Sequence, residues 1–165
     1  MSDPLNILVL CTGNSARSIL AEALFNHLGG GRVRAFSAGS QPAGRVNPFA
    51  LQVLGEDGIV PADPRSKSWD EFAAPDAPRM HVVITVCDNA ANEVCPVWPG
   101  APVSVHWGLP DPAAAMGNDE EKRQAFRDTM AAIRVPVEAF LSLSFEGMTP
   151  DNMKARLQDM APTGE

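Results

Sequence analysis

Long apolar runs and an export signal are both missing from this sequence of 165 residues. No stretch approaches the roughly 20 apolar residues that a membrane-spanning helix needs. The first residues, MSDPLNILVLC, contain a short apolar run but not the basic segment that precedes such a run in a secretory signal. We therefore expect a cytoplasmic protein with no membrane partner.

Positive charge is also scarce. The chain has 13 Lys and Arg residues against 20 Asp and Glu residues, which gives a formal net charge of -7 at pH 7. Non-specific nucleic-acid binding depends on a dense surface of Lys and Arg. The charge balance therefore argues against nucleic acid as a partner, although it allows a local basic pocket for a small anion.

Cysteine is rare as well: the chain has three, an odd number that is too small for a disulfide scaffold. The sequence has no Cys-x2-Cys and no His-x3-His pair, so we do not expect a structural zinc site. In a reducing compartment, cysteines that matter usually act by ligation, nucleophilic attack or redox exchange. The alternative for any one of them is a small buried apolar side chain.

The composition is that of an ordinary globular protein. Apolar residues make up 45% of the chain and charged residues 20%, which is enough for a hydrophobic core. The length fits one domain spanning residues 1–165, and we find no internal repeat and no linker that would divide it. The polar residues after about 147 are expected to form a frayed tail.

Four short apolar runs rich in β-branched residues predict strands over residues 6–10, 33–37, 81–86 and 102–106. The apolar residues in these runs are continuous rather than alternating, as in ILVL and VVITV. Continuous apolar runs are typical of parallel strands that helices cover on both faces. The sequence therefore favours a parallel sheet.

Helical patterns fill the segments between and after the strands. Apolar spacing predicts one helix over residues 16–28 and a second that Asn47 caps. A long amphipathic helix begins at Asn118 or Asp119, and Pro136 should kink it or split it in two. This order of elements indicates a doubly wound α/β domain, in which ligands bind beyond the carboxyl ends of the strands.

The first strand leads directly into CTGNSARS, residues 11–18, which we call the anion loop. A loop between a strand and a helix N-terminus can wrap its N–H groups around a tetrahedral oxyanion, which the helix dipole also favours. Arg17 offers a planar fork to two oxygens of the anion, and this positive field is expected to lower the pKa of Cys11. Ser18 can donate a hydrogen bond to the sulfur. The predicted oxyanion-binding residues are Thr12, Gly13, Asn14, Ser15, Ala16, Arg17 and Ser18.

The anion loop resembles that of the low-molecular-weight tyrosine phosphatase family, which has the pattern Cys-x5-Arg-Ser/Thr near the N-terminus. The resemblance extends to SAG at residues 37–39, NP at 47–48 and DP at 111–112, and it covers about residues 6–143. It implies a four-stranded parallel sheet in the order 2-1-3-4 with helices on both faces. It also implies that Asp111 is the general acid; the alternative is an Asp that only caps a turn.

The other two cysteines discriminate between the two enzyme types that share this fold. Cys87 follows the third predicted strand as Cys11 follows the first, so the implied strand order places both at one edge, within reach of a disulfide. Cys95 lies farther along, in a segment without a long helix or strand pattern. The run VCDNAANEVCP, followed by HWGLPDPA, looks like the resolving segment and acid loop of phosphatase-like arsenate reductases. The chain has no Tyr, whereas the phosphatases typically follow DP with an aromatic ring.

The resemblance thus implies the reduction of arsenate to arsenite. Cys11 attacks arsenic, Asp111 protonates the departing oxygen, and Cys87 then forms a disulfide with Cys11. Cys95 next attacks Cys87 and presents the new disulfide to an external thiol reductant. Thioredoxin is the implied reductant, but the interval between the last two cysteines is one residue longer than in the thioredoxin-linked type. Glutathione with glutaredoxin therefore stays open, and no tightly bound cofactor is expected.

Two other functions stay open. One is a phosphatase acting on phosphotyrosine or small phosphoesters, which would use Cys11, Arg17 and Asp111 and leave the other two cysteines idle. The other is a non-catalytic sensor of an oxyanion or of arsenite, which would bind through the cysteines without turnover.

A potassium ion is the one cofactor that the resemblance raises. Thioredoxin-linked family members can bind potassium near the anion loop through Asn, Glu and Ser side chains, which Asn14, Glu22 and Ser37 match here. A fourth, acidic ligand has no counterpart, because Trp69 stands near its position. The sequence therefore leaves potassium binding open.

Overall fold

The described part of the protein, in a computed structural model, comprises residues 4–61, 64–86, 103–109, 112 and 115–161. Its sheet has four parallel strands in the order β2-β1-β3-β4. The strands are β1 (Leu5–Leu10), β2 (Val33–Ala38), β3 (Val82–Thr85) and β4 (Val103–His106). The predicted fold class and strand order are confirmed, and each predicted strand end lies within one residue of the observed one.

The helices begin where the sequence supplies caps, with one exception that concerns the site. Within the described ranges they are α1 (Arg17–Leu28), α2 (Pro48–Glu56), α3 (Asp119–Leu141) and α4 (Pro150–Asp159). The side chains of Asn47, Asn118 and Thr149 accept N–H groups at the starts of α2, α3 and α4. Short 3-10 helices occupy Trp69–Phe72 and Phe145–Gly147.

The two faces of the sheet bury different partners. Ile7 and Val9 of β1 point into a large core that all four helices line, together with Trp107. Leu8 and Leu10 point the other way and pack against Trp69 and Phe72 of the first 3-10 helix. Residues 7–10 of β1 are completely buried, so the central strand holds its carboxyl end in a fixed place between two packed layers.

Helix α3 continues through Pro136, so the predicted split does not occur. A proline removes one backbone hydrogen bond inside a helix, and packing has to compensate for that loss. Pro136 is buried, and Ile133, Val137 and Phe140 beside it belong to the core. The apolar contact on both sides of the proline keeps the helix in one piece.

The expectation of a frayed tail after residue 147 is wrong for the described residues, because α4 forms there. Met153 and Leu157, four residues apart, turn the same helical face into the core. The indole Nε1 of Trp107 donates to the Leu157 carbonyl at 2.9 Å and fixes the helix to the end of β4. Among the residues described, no helix combines the length and apolar character needed to cross a bilayer.

Candidate active site

Cys11 lies at the carboxyl end of the central strand, the place where parallel sheets bind their ligands. It is 5% exposed, and its N–H donates to the Ala38 carbonyl of β2 at 3.2 Å. On the other side of β1, the Val86 N–H donates to the Leu10 carbonyl at 2.9 Å. Val86, the last described residue before Cys87, therefore lies beside the end of β1.

The carbonyl groups of the anion loop are held from outside. The carbonyls of Thr12, Gly13 and Ser15 accept N–H groups of the segment between β2 and α2 at 3.0, 2.9 and 2.8 Å. The hydroxyl of Ser66 donates a further bond to the Gly13 carbonyl at 2.9 Å. In the part of the chain that the structure describes, the N–H groups of Gly13, Ser15 and Ala16 donate to no protein acceptor. These three N–H groups are therefore available to a ligand.

The start of α1 adds to this set of donors. Ala16 precedes the helix and supplies no side-chain cap, and the first turn contains no acidic residue. The first N–H groups of a helix have no acceptor within it, and together they form the positive end of the helix dipole. Because the anion loop leads directly into this end, the start of the helix adds a favourable field for an anion bound to the loop.

Asn14 fixes the path of the loop. Its φ is +46°, in the left-handed region that Asn tolerates better than most residues. It is fully buried, and its Nδ2 donates to Ser18 Oγ at 2.9 Å while its Oδ1 accepts the Lys67 N–H at 2.9 Å. Since Ser18 Oγ accepts from Asn14, the hydroxyl proton of Ser18 is left to be donated elsewhere, which suits the predicted bond to Cys11.

Gly39 lets β2 pass directly beneath the loop. A Cβ at this position would lie 2.4 Å from the Thr12 carbonyl oxygen and 2.8 Å from that of Cys11. Only glycine allows backbones to approach so closely. Gly39 belongs to the SAG motif, but the motif alone did not indicate its role. A glycine directly after a buried strand is typical of a close backbone approach, and this pattern could have predicted it.

Arg17 connects the anion loop to the segment that follows β4. Its Nη1 donates to the Leu109 carbonyl at 2.8 Å, and the Leu109 N–H donates to the Val86 carbonyl at 3.1 Å. Leu109 is two residues before Asp111, so this bond holds the start of the predicted acid loop against the oxyanion site. Asp111 itself lies outside the described residues, as do Cys87 and Cys95, and their roles stay predictions.

The residues matched to a potassium site lie behind the loop. Ser37 Oγ donates to Glu22 Oε1 at 2.8 Å, whereas Asn14 is engaged with the backbone of Lys67. Burial raises the pKa of Glu22, and the positive charge of Lys67 is the strongest influence lowering it. Lys67 could not be predicted from the sequence, because a single lysine in a loop carries no spacing signal.

Comparison with known proteins agrees with this geometry. Residues 6–147 match the low molecular weight phosphotyrosine protein phosphatase family. A curated arsenate reductase from Halalkalibacterium halodurans is 39% identical over 134 residues, covering 81% of this chain and 93% of that protein.

Two solved structures carry the same fold. An arsenate reductase in the phosphate binding state superposes with a TM-score of 0.67 and 28% identity, covering 84% of this chain and 97% of that one. A thioredoxin-dependent arsenate reductase from Corynebacterium glutamicum gives a TM-score of 0.57 and 26% identity, covering 84% of this chain and 65% of that one. With the family match spanning the sheet, the anion loop and α3, the chain belongs to the low molecular weight phosphotyrosine protein phosphatase family.

Proposed function

We propose that this protein reduces arsenate to arsenite. The observation that carries the proposal is the anion loop around Cys11: the carbonyls of Thr12, Gly13 and Ser15 accept bonds from outside the loop, and the N–H groups of Gly13, Ser15 and Ala16 have no acceptor among the described residues. Curated relatives named arsenate reductase, at 33–39% identity, support arsenate as that oxyanion.

The first step forms a bond between sulfur and arsenic. The Cys11 thiolate attacks the arsenic atom of bound arsenate, and Asp111 donates a proton to the departing oxygen, which leaves as water. Arg17 and the loop N–H groups stabilise the negative charge on the remaining oxygens. Arsenic is still in its +5 state in this covalent adduct.

The second step transfers two electrons. Cys87 attacks the Cys11 sulfur, the pair of the sulfur–arsenic bond stays on arsenic, and arsenite leaves with arsenic in its +3 state. The product is a disulfide between Cys11 and Cys87. Cys95 then attacks Cys87, which releases the Cys11 thiolate and leaves a disulfide between Cys87 and Cys95.

An external dithiol closes the cycle by reducing that last disulfide. Thioredoxin is the reductant we propose first, because a thioredoxin-dependent arsenate reductase is among the structural relatives. Glutathione with glutaredoxin is the alternative that the longer interval between Cys87 and Cys95 leaves open. Either donor belongs to the reducing thiol pool of the cytoplasm, the compartment in which we place the reaction.

A phosphatase is the second candidate, because the family match itself is to phosphotyrosine phosphatases. The same Cys11 would attack phosphorus, Arg17 would bind the phosphoryl oxygens and Asp111 would protonate the leaving group. This reaction needs neither Cys87 nor Cys95, so those two residues separate the candidates.

The test measures turnover of arsenate and of p-nitrophenyl phosphate by the same preparations. NADPH oxidation is followed with thioredoxin and its reductase, and separately with glutathione, glutaredoxin and glutathione reductase. We expect many turnovers of arsenate, loss of both activities in Cys11→Ser, and loss of arsenate reduction alone in Cys87→Ser. A rise in the melting temperature of the Cys87→Ser variant on adding phosphate is the check that this variant is folded.

Three results would reject the proposal. Full arsenate turnover by Cys87→Ser would exclude the relay. Hydrolysis of the phosphoester without arsenate reduction would leave a phosphatase, and binding of arsenate without turnover of either substrate would leave a sensor.

A further inference from the structure

A lysine is buried directly behind the anion loop. Lys67 is 8% exposed, and its Nζ donates to the Arg65 carbonyl at 3.1 Å. Lysine is among the residues that proteins almost never bury unless the ammonium group is paired. The side chain therefore needs an anionic neighbour in the same interior region.

Glu22 of α1 is that neighbour. Glu22 and Lys67 line the same cavity, and of the two cations that act on the Glu22 carboxylate, Lys67 acts more strongly than Arg65. Ser37 Oγ donates to Glu22 Oε1 at 2.8 Å and holds the carboxylate from the side of β2. Among the described residues, this region brings together the Glu22 carboxylate, the Lys67 ammonium group and the hydroxyl that orients the carboxylate, and Arg65, Glu71 and Asp76 also line the cavity.

The backbone of Lys67 is joined to the anion loop at the same time. Its N–H donates to Asn14 Oδ1 at 2.9 Å, and its carbonyl accepts the Gly39 N–H at 2.9 Å. Asn14 is the residue whose left-handed conformation sets the path of the loop. The Lys67 side chain is therefore linked, through its own backbone, to the loop that presents N–H donors to the oxyanion. A loss of the pairing at its ammonium group would shift that loop.

These contacts bear on the potassium ion that the family resemblance raised. A potassium ion on Glu22 would lie close to the Lys67 ammonium, and like charges in a poorly solvated site repel strongly. One of the two lone pairs of the Asn14 oxygen, a matched ligand, is engaged by the Lys67 N–H. The matched residues therefore fit an internal ammonium group and do not fit an additional cation.

We propose that the Lys67 ammonium group takes the place of potassium beside Glu22 and positions the anion loop through Asn14. Lys67 touches no substrate in this scheme and acts as a positioning residue. The inference goes beyond arsenate reduction, since it concerns how the loop is held for any tetrahedral oxyanion, and it holds equally for a phosphatase.

The experiment measures melting temperature and the dissociation constant for inorganic phosphate in KCl, NaCl and choline chloride at equal ionic strength. We expect the wild-type protein to give the same values in all three salts. Lys67→Ala should bind phosphate about tenfold more weakly in choline chloride, the scale of one misplaced hydrogen bond. It opens space beside Glu22, so potassium should partly restore both values in a saturable manner.

Two further variants separate charge from packing. Lys67→Met fills the space without a charge and should bind phosphate weakly in every salt, with no rescue. Lys67→Arg keeps the charge and should keep wild-type phosphate affinity. Lys154→Met removes a lysine exposed on α4 and should match the wild type throughout.

A saturable potassium response of the wild-type protein would overturn the proposal. Equal phosphate affinity of Lys67→Ala and the wild type in choline chloride would also overturn it. If Lys67→Ala fails to fold, wild-type affinity in Lys67→Met would be decisive against a role for the charge. Because arsenate is absent from every sample, these results are independent of whether the protein reduces it.

Discussion

At Gly39, a missing side chain decides how closely β2 can pass beneath the anion loop. The sequence motif identified Cys11 and Arg17 because these residues lie within one short segment. The contacts that hold this segment come from residues such as Lys67, which lies 53 positions from its partner Asn14. No spacing rule connects residues so far apart, so the support of the loop was visible only in three dimensions.

Replacing Gly39 by Ala should damage the site more than the fold. The added Cβ would lie within 3 Å of two loop carbonyl oxygens that cannot move without shifting the loop. We expect a loss of about 1–3 kcal/mol in the free energy of unfolding, with phosphate binding weakened at least tenfold. Gly55→Ala is the control, because it lies in α2 with no atom within 4 Å of the new Cβ. Thermal melts and phosphate calorimetry measure both quantities, and unchanged phosphate affinity in Gly39→Ala would contradict the close-approach argument.

At the scale of elements, continuous apolar runs predicted the ends of the strands to within one residue. Short runs of this kind are typical of strands that are buried on both faces. Helix α4 was missed because it offers only two buried side chains, Met153 and Leu157, among polar residues. Helix α3 was expected to kink or split at Pro136, but it continues through the proline, where its neighbours on the core face are buried. In both cases tertiary packing outweighed the local signal.

Leu157→Ala tests whether α4 is part of the folded core. The side chain is completely buried, and its own carbonyl accepts the Trp107 indole. Removing a buried leucine costs about 2–5 kcal/mol, which corresponds to a fall in melting temperature of about 2–4 °C per kcal/mol for a chain of this size. The exposed neighbour in Gln158→Ala should leave the melting temperature within about 1 °C. A melt of Leu157→Ala that matched the wild type would show that α4 is frayed after all.

At the scale of the whole molecule, ion pairs join α2 to α3 across the surface. Arg127 on α3 donates to both oxygens of Glu56 at the end of α2, each at 2.8 Å, and to Glu120 about two turns earlier on α3. Arg134 makes a single ion pair with Asp57, directly after α2, at 3.3 Å. The paired side chains are partly exposed and none of them belongs to the anion loop, so these contacts bear on stability.

The pairing of Arg127 makes stability depend on pH in a defined direction. Hydrogen bonds from Arg127 lower the pKa of Glu56 and of Glu120 below their ordinary value of 4.5. A lowered pKa in the folded state contributes stability that is complete above about pH 4.5 and is lost as the pH falls through the folded value. Arg127→Gln should therefore have a lower melting temperature than the wild type at pH 7. The difference between the two melting temperatures should narrow toward pH 2.

High salt should narrow this difference in melting temperature at pH 7, because the ion pairs are exposed and salt screens them. Arg156→Gln removes an exposed charge on α4. Its difference in melting temperature from the wild type should change with neither pH nor salt. Melting curves of the three proteins between pH 2 and pH 7, at low and high ionic strength, give the comparison. A difference in melting temperature that stayed constant across this pH range would contradict the ionic explanation. It would mean that Arg127 stabilises the junction of α2 and α3 by packing its aliphatic stem.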